Sequence, residues 1–189
     1  MSRIPYPHVP DLSPAKQAIF EAYGPRLLNV SYMAMHAPDA YWAAWRTLGI
    51  AAVEAKGVSG LLKEYVILRV AYMSDSAYEL HHHKALAEIH GAGEAQFEAL
   101  RTGDLSPFPP LERAVLQFTT EVVRDTSPSD EALAALRALV SDERVMEIVC
   151  LIGAYMFTAR IVAVSGCEPE AAPVTDWASR GDLFRKPSL

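Results

Sequence analysis

The residues best suited to chemistry fall in one short stretch, Glu64, Ser76, Tyr78, Glu79 and His83. Glu79 and His83 are four apart, so on a helix they face the same way. Ser76 precedes His83 by seven, about two turns, and shares that face. A carboxylate beside an imidazole orients the ring, and such a pair can move a proton near neutral pH. This spacing assigns His83 as general acid/base and Glu79 as its orienting partner. Glu64 opens the preceding helical stretch between Leu62 and Val66, where a mostly apolar face predicts partial burial and a second acid/base role. Ser76 and Tyr78 are candidate hydrogen-bond donors to a substrate. The run His81-His82-His83 spans about 200° of helix, so at least one of the three faces solvent. Adjacent helical residues cannot converge on one ion, and no metal site is expected.

These groups need a helical frame, and the composition supplies one. The chain has 189 residues, 51% of them hydrophobic, enough for a core that buries about 70% of the unfolded surface without a disulfide or metal staple. With 21% charged residues and a net charge of -6, disorder is excluded and a nucleic-acid partner is not expected. Cys150 and Cys167 are too few for a disulfide framework or a structural zinc site. The opening MSRIPYPHVPDLSP does not read as a signal peptide. No apolar stretch of about 18 residues lacks polar breaks, so no membrane span is expected and a cytoplasmic location is the default.

Proline is missing from 39–106 and from 129–168, and strictly alternating β-branched runs are absent, which makes the chain all-α. Residues 1–12, with three prolines, read as an extended arm. Ser13-Pro14 starts a helix that Gly24-Pro25 stops. A helix through Tyr41, Trp42, Trp45, Leu48 and Ala52 follows Pro38, and Gly57 closes it. Ser59 caps the next helix, residues 73–76 are a kink or a new cap, and helix resumes through Glu79, His83 and His90 to Gly91. Further helices are expected at about 94–101, 110–124, 129–139 and 141–165, with Ser129 and Ser141 as caps. The segment 168–189 carries Trp177 and Phe184 and reads as a tail that packs on this subunit or a neighbour. The aromatic set Tyr41, Trp42, Trp45, Tyr72 and Tyr155 is assigned to core or subunit interface.

EYVILRVAYM at 64–73 and EIVCLIGAYM at 147–156 agree at six of ten positions without gaps. The chain therefore reads as two related helical units packed as a pair. The first copy is followed by SDSAYELHHH, rich in titratable groups. The second is followed by the nearly apolar FTARIVAVSG. One half should carry the chemistry and the other the scaffold.

KEYVILRVAYMSDSAYELHHHKALAEIHG, with the ERAVLQF and EIVCLIGAYMFTAR helices, resembles the core of the carboxymuconolactone decarboxylase family, which includes the alkylhydroperoxidase D (AhpD-like) proteins. The resemblance covers about 40–165 within a single domain at 1–189. It implies an all-α, AhpD-like helical fold of two related repeats, and trimers or hexamers with sites near subunit contacts. In the peroxidase branch the motif is Glu, then Cys-x-x-Cys, then His. Carried over, Glu64 matches the glutamate and His83 the histidine. Ser76 and Glu79 stand where the two cysteines would be. A thiol peroxidase needs a thiolate and a resolving partner, and neither is present at these positions. The resemblance is therefore to the decarboxylase branch. It implies a cofactor-free acid/base enzyme, a lyase acting on a small unsaturated carboxylated lactone or aromatic ring-cleavage product, with catalytic Glu64, Glu79 and His83. An isomerase or hydrolase of a related diene acid would use the same groups. A peroxidase working through Cys150 or Cys167 stays open, as does a non-catalytic ligand-binding oligomer.

Overall fold

The computed structural model describes residues 2–175. Its helices are α1 (Pro14–Tyr23), α2 (Asn29–Met33), α3 (Asp39–Glu54), α4 (Gly60–Met73), α5 (Ala77–Ile89), α6 (Glu94–Thr102), α7 (Pro110–Asp125), α8 (Asp130–Arg137) and α9 (Asp142–Ser165). Short 3₁₀ turns at Val9–Asp11, Gly24–Arg26 and Ala34–His36 join the first elements. No strand occurs among the described residues. The all-α expectation holds, and the helix limits match to within a few residues. Short α2 and the 3₁₀ turns escape sequence reading because pieces of three to five residues carry no periodic pattern.

The caps follow local chemistry. Ser59, Ser129 and Ser141 accept the backbone N–H of Leu62, Ala132 and Arg144. Ser13 precedes α1 as expected but does not cap it. Its hydroxyl donates instead to Asp39 at 2.9 Å, pinning the start of α1 to the start of α3.

α4 is the centre of the molecule, packed on α5, α6, α7 and α9. Val66, Ile67 and Val70 meet Val115 and Phe118 of α7 and Ile148, Leu151 and Ile152 of α9 in the main core. Tyr65 and Leu68, on another face of α4, pack with Ala87, Phe97, Leu100 and Leu116. A helix apolar on every side must be enclosed, and α4 is buried from Glu64 to Ala71. Two charges lie in that run. Arg69 donates to Thr120 Oγ1 and the Leu100 carbonyl; Glu64 belongs to the site below.

α9 departs from the membrane expectation in one respect. By length and composition, with a mean hydropathy of 1.9 in its best window, it could cross a bilayer. Here it packs on α2, α3, α4, α5, α7 and α8 as a second central helix.

The two copies of the repeat lie in α4 and α9, which pack together. Their continuations differ. After Met73 the chain stops: Asp75 N–H bonds the Tyr72 carbonyl and Ser76 N–H the Ala71 carbonyl, with Asp75 left-handed at φ 50°. This is a Schellman stop, with Asp75 in the place glycine usually takes. α5 then begins at Ala77 and packs on α4. After Met156 the helix runs on to Ser165 and ends at left-handed Gly166.

Both ends of the described chain fold onto this body. Arg3 and Ile4 donate to the Ser165 carbonyl, and Tyr6 stacks on Tyr32 with ring centres 5.2 Å apart. Tyr6 thus finds cover within its own chain. The start of the tail also packs at home, with Val174 buried. Trp177 and Phe184 lie outside the described residues.

Candidate active site

The Schellman stop turns α5 back along α4 and brings two distant residues together. His83 Nδ1 lies 2.7 Å from Glu64 Oε2, and both side chains are buried. Glu64 orients the imidazole, a role that sequence spacing assigns to Glu79. With Nδ1 engaged, Nε2 is the ring nitrogen left for a substrate. Tyr155 of α9 stands edge-on to the His83 ring, centroids 4.9 Å apart at 86°.

Glu79 shares the expected face of α5 but makes a different contribution. It is 2% exposed, and neither carboxylate oxygen has a hydrogen-bond partner among the described residues. Burial pushes its carboxyl up to about 7, opposed by the His83 charge and by nearby Ser76. A carboxyl so placed is protonated in about half of the molecules at neutral pH and can donate that proton. The Ser76 hydroxyl is also buried and lacks a partner among the described residues. Unsatisfied buried polar groups are costly, which makes them informative about a ligand.

Glu79 and His83 line a cavity of about 80 Å³, walled by Leu28, Val30, Trp45, Val53, Tyr78, Tyr155 and Thr158 among others. The wall is mainly apolar, so a bound molecule would be dehydrated and charge effects amplified. Trp45 and Tyr155 pack against the core, as expected, and also line this cavity. The second half of the chain is not mere scaffold, because Ala154, Tyr155 and Thr158 of α9 form part of the wall. Burial of the Tyr155 hydroxyl, with the Glu64 and Glu79 charges adding, raises its pKa, so it stays a neutral phenol.

Tyr78 lines the same cavity but its hydroxyl is committed. It accepts the Val30 N–H and donates to Glu170 at 3.0 Å. Glu170 also accepts from Asn29 N–H at 2.6 Å and from His82 Nε2 at 2.5 Å. His82 Nδ1 accepts the Val174 N–H at 3.0 Å. With Nδ1 accepting that N–H, Nε2 is the ring nitrogen that donates to Glu170. His82 and Tyr78 therefore fasten the start of the tail to α5. Sequence pattern does not reveal this clasp: Glu170 is 88 residues from His82, and no local spacing joins them. Of the three consecutive histidines, His82 and His83 are buried and His81 is partly exposed.

Cys167 is buried, and burial pushes its thiol up to about 11, the Tyr6 hydroxyl opposing. Cys150 is exposed on α9. Neither lines the cavity that holds Glu79.

The all-α frame, with its two related helical segments packed together, has an AhpD-like helical fold, on which comparison with solved structures agrees. The chain is similar to an uncharacterized peroxidase-related protein with an alkylhydroperoxidase AhpD core from Ralstonia eutropha, at 21% identity over 90% of this chain and 93% of that one, TM-score 0.74. A peroxidase-related protein from a Silicibacter species matches at 19% identity over 98% and 100%, TM-score 0.71. The debrominase Bmp8 matches at 21% identity over 94% and 93%, TM-score 0.67. No protein-family model matches the chain, and none of the curated proteins matches it.

Proposed function

We propose that this protein is a cofactor-free acid/base enzyme acting on a small unsaturated compound, in the manner of a carboxymuconolactone decarboxylase. The observation that carries the reading is the buried Glu64–His83 hydrogen bond, with His83 also lining the mainly apolar cavity that holds the Glu79 carboxyl, which lacks a partner among the described residues. His83, set by Glu64, takes or gives the proton at Nε2. Glu79, about half protonated at neutral pH, supplies in its protonated form a second proton or a hydrogen bond to oxygen charge developing on an enolate or dienolate. A lyase, an isomerase and a hydrolase of related diene acids would all use this pair. Decarboxylation of a carboxylated lactone or ring-cleavage product is the favoured reaction. A similar structure, that of Bmp8, is a complex with 2,3,4-tribromopyrrole, a small unsaturated ring, which supports a substrate of that size.

Purified protein incubated with carboxylated lactones and ring-cleavage acids in deuterated water should change their ultraviolet absorbance and place deuterium on carbon. His83→Ala should abolish both. Turnover that survived His83→Ala undiminished would sink the reading.

A homo-oligomer, a trimer or hexamer, is part of the same proposal. Met146, Cys150, Phe157 and Val164 form an exposed, largely apolar stripe along α9. Light scattering should give a mass several times the 20.7 kDa of one chain.

A further inference from the structure

No lysine or arginine among the described residues lines the cavity that holds Glu79. A second cavity, of about 360 Å³, adjoins it; Val53, His83 and Tyr155 line both. Lys63, Glu64 and His90 also line this second space. Lys63 lies on α4 directly before Glu64, partly buried. Its ammonium donates to the Val53 carbonyl at 3.1 Å and the Ala55 carbonyl at 2.8 Å. An ammonium has three N–H groups, so one is left over. No carboxylate among the described residues lies within ion-pair distance of it. Burial lowers the Lys63 pKa, with the Glu64 and Glu147 charges opposing. Lys63 is thus a partly buried cation held by two carbonyls, with the Glu64 and Glu147 charges acting on it from beyond ion-pair distance and one N–H left to give.

We propose that Lys63 anchors an anionic group of the substrate, a carboxylate, in this second cavity. The unsaturated frame then passes His83 and Tyr155 into the apolar cavity beside Glu79. Glu64 lines the same space, with its Oε2 engaged by His83 Nδ1. This inference rests on the acid/base reading and adds a substrate class: small unsaturated acids whose anionic end is held apart from the reacting carbons.

Sorbate, a six-carbon diene acid, and its methyl ester are suitable probes, with binding to the full chain followed by tryptophan fluorescence, since Trp45 lines the first cavity. Wild type should bind sorbate at least about tenfold more tightly than the ester, the scale of a hydrogen bond to a charged group. Lys63→Met should erase that preference by weakening sorbate alone, and Lys63→Arg should retain it. His83→Ala should keep the preference, which separates the anchor from the proton transfer. Equal binding of acid and ester to wild type, no binding of either, an unchanged preference in Lys63→Met, or its loss in Lys63→Arg would overturn the anchor. A sorbate preference in a protein whose turnover ignores His83→Ala would instead overturn the acid/base reading and leave the anchor standing.

Discussion

Glu64 and Glu147 occupy the same place in the two copies of one helical segment, in helices that pack on each other, yet they meet different partners. Glu64 is buried against His83, nineteen residues on and in another helix. Glu147 pairs with Arg144, one turn back on its own helix and partly open to solvent. The tyrosines diverge likewise. Tyr155 faces His83, whereas Tyr72 lies under the Lys84 ammonium, 5.6 Å from ring centre to nitrogen. What separates the copies is the chain after Ala-Tyr-Met. In the first, a Schellman stop with left-handed Asp75 folds α5 back onto α4. In the second, α9 continues and no histidine returns. A left-handed non-glycine residue costs about 1–2 kcal/mol, a modest strain beside what it sets up. The comparison teaches that a glutamate on a buried helix becomes a site only when the chain turns back to give it a partner.

The sharpest way to break this comparison is at the partner. His83→Ala should cost about 10²–10⁴-fold in turnover, while His81→Ala, rotated about 160° on the helix, should cost little. Equal, small losses measured on one substrate would make the histidine run an inert face. Next come the paired glutamates. Glu64→Gln should lower turnover by at least about tenfold, since the imidazole loses its orienting carboxylate, and Glu147→Gln should leave turnover unchanged. Similar losses in both, with circular dichroism unaltered, would mean that the copies do not differ in function.

Glu79 sharpens the picture through stability. Its carboxyl is raised from an ordinary 4.5 to about 7 by burial. The stability associated with its protonated form is fully present below about pH 4.5 and is lost as pH rises through about 7. Wild type should therefore lose roughly 3 kcal/mol relative to Glu79→Gln between those limits. Denaturant unfolding at pH 4.5 and 8 measures it, and a pH-independent difference would place Glu79 among ordinary carboxylates. The smallest effect is expected from the thiols. Replacing Cys150 and Cys167 together with serine should hold turnover within about tenfold, the remainder being lost packing at buried Cys167. Turnover that vanished in a folded double variant would return thiol chemistry to the site.

The sequence by itself determined the helices, because periodicity, serine caps and glycine or proline stops are local, and residues 60–165 fall into elements within a few residues of those observed. It also picked out Glu64, Glu79 and His83, of which the structure joins Glu64 to His83 and places Glu79 with His83 in the wall of one cavity. It misjudged their roles for one reason: spacing on a helix ranks neighbours four apart and is blind to a carboxylate nineteen residues away. The same local logic makes Ser13 a cap, whereas Asp39, 26 residues on, draws its hydroxyl away. The tertiary structure alone decided that Glu64 rather than Glu79 holds His83, that Tyr155 and Trp45 wall the cavity, and that His82 belongs to the tail through Glu170. Each of these contacts joins helices far apart in the chain, where packing, not local pattern, sets which side chains meet.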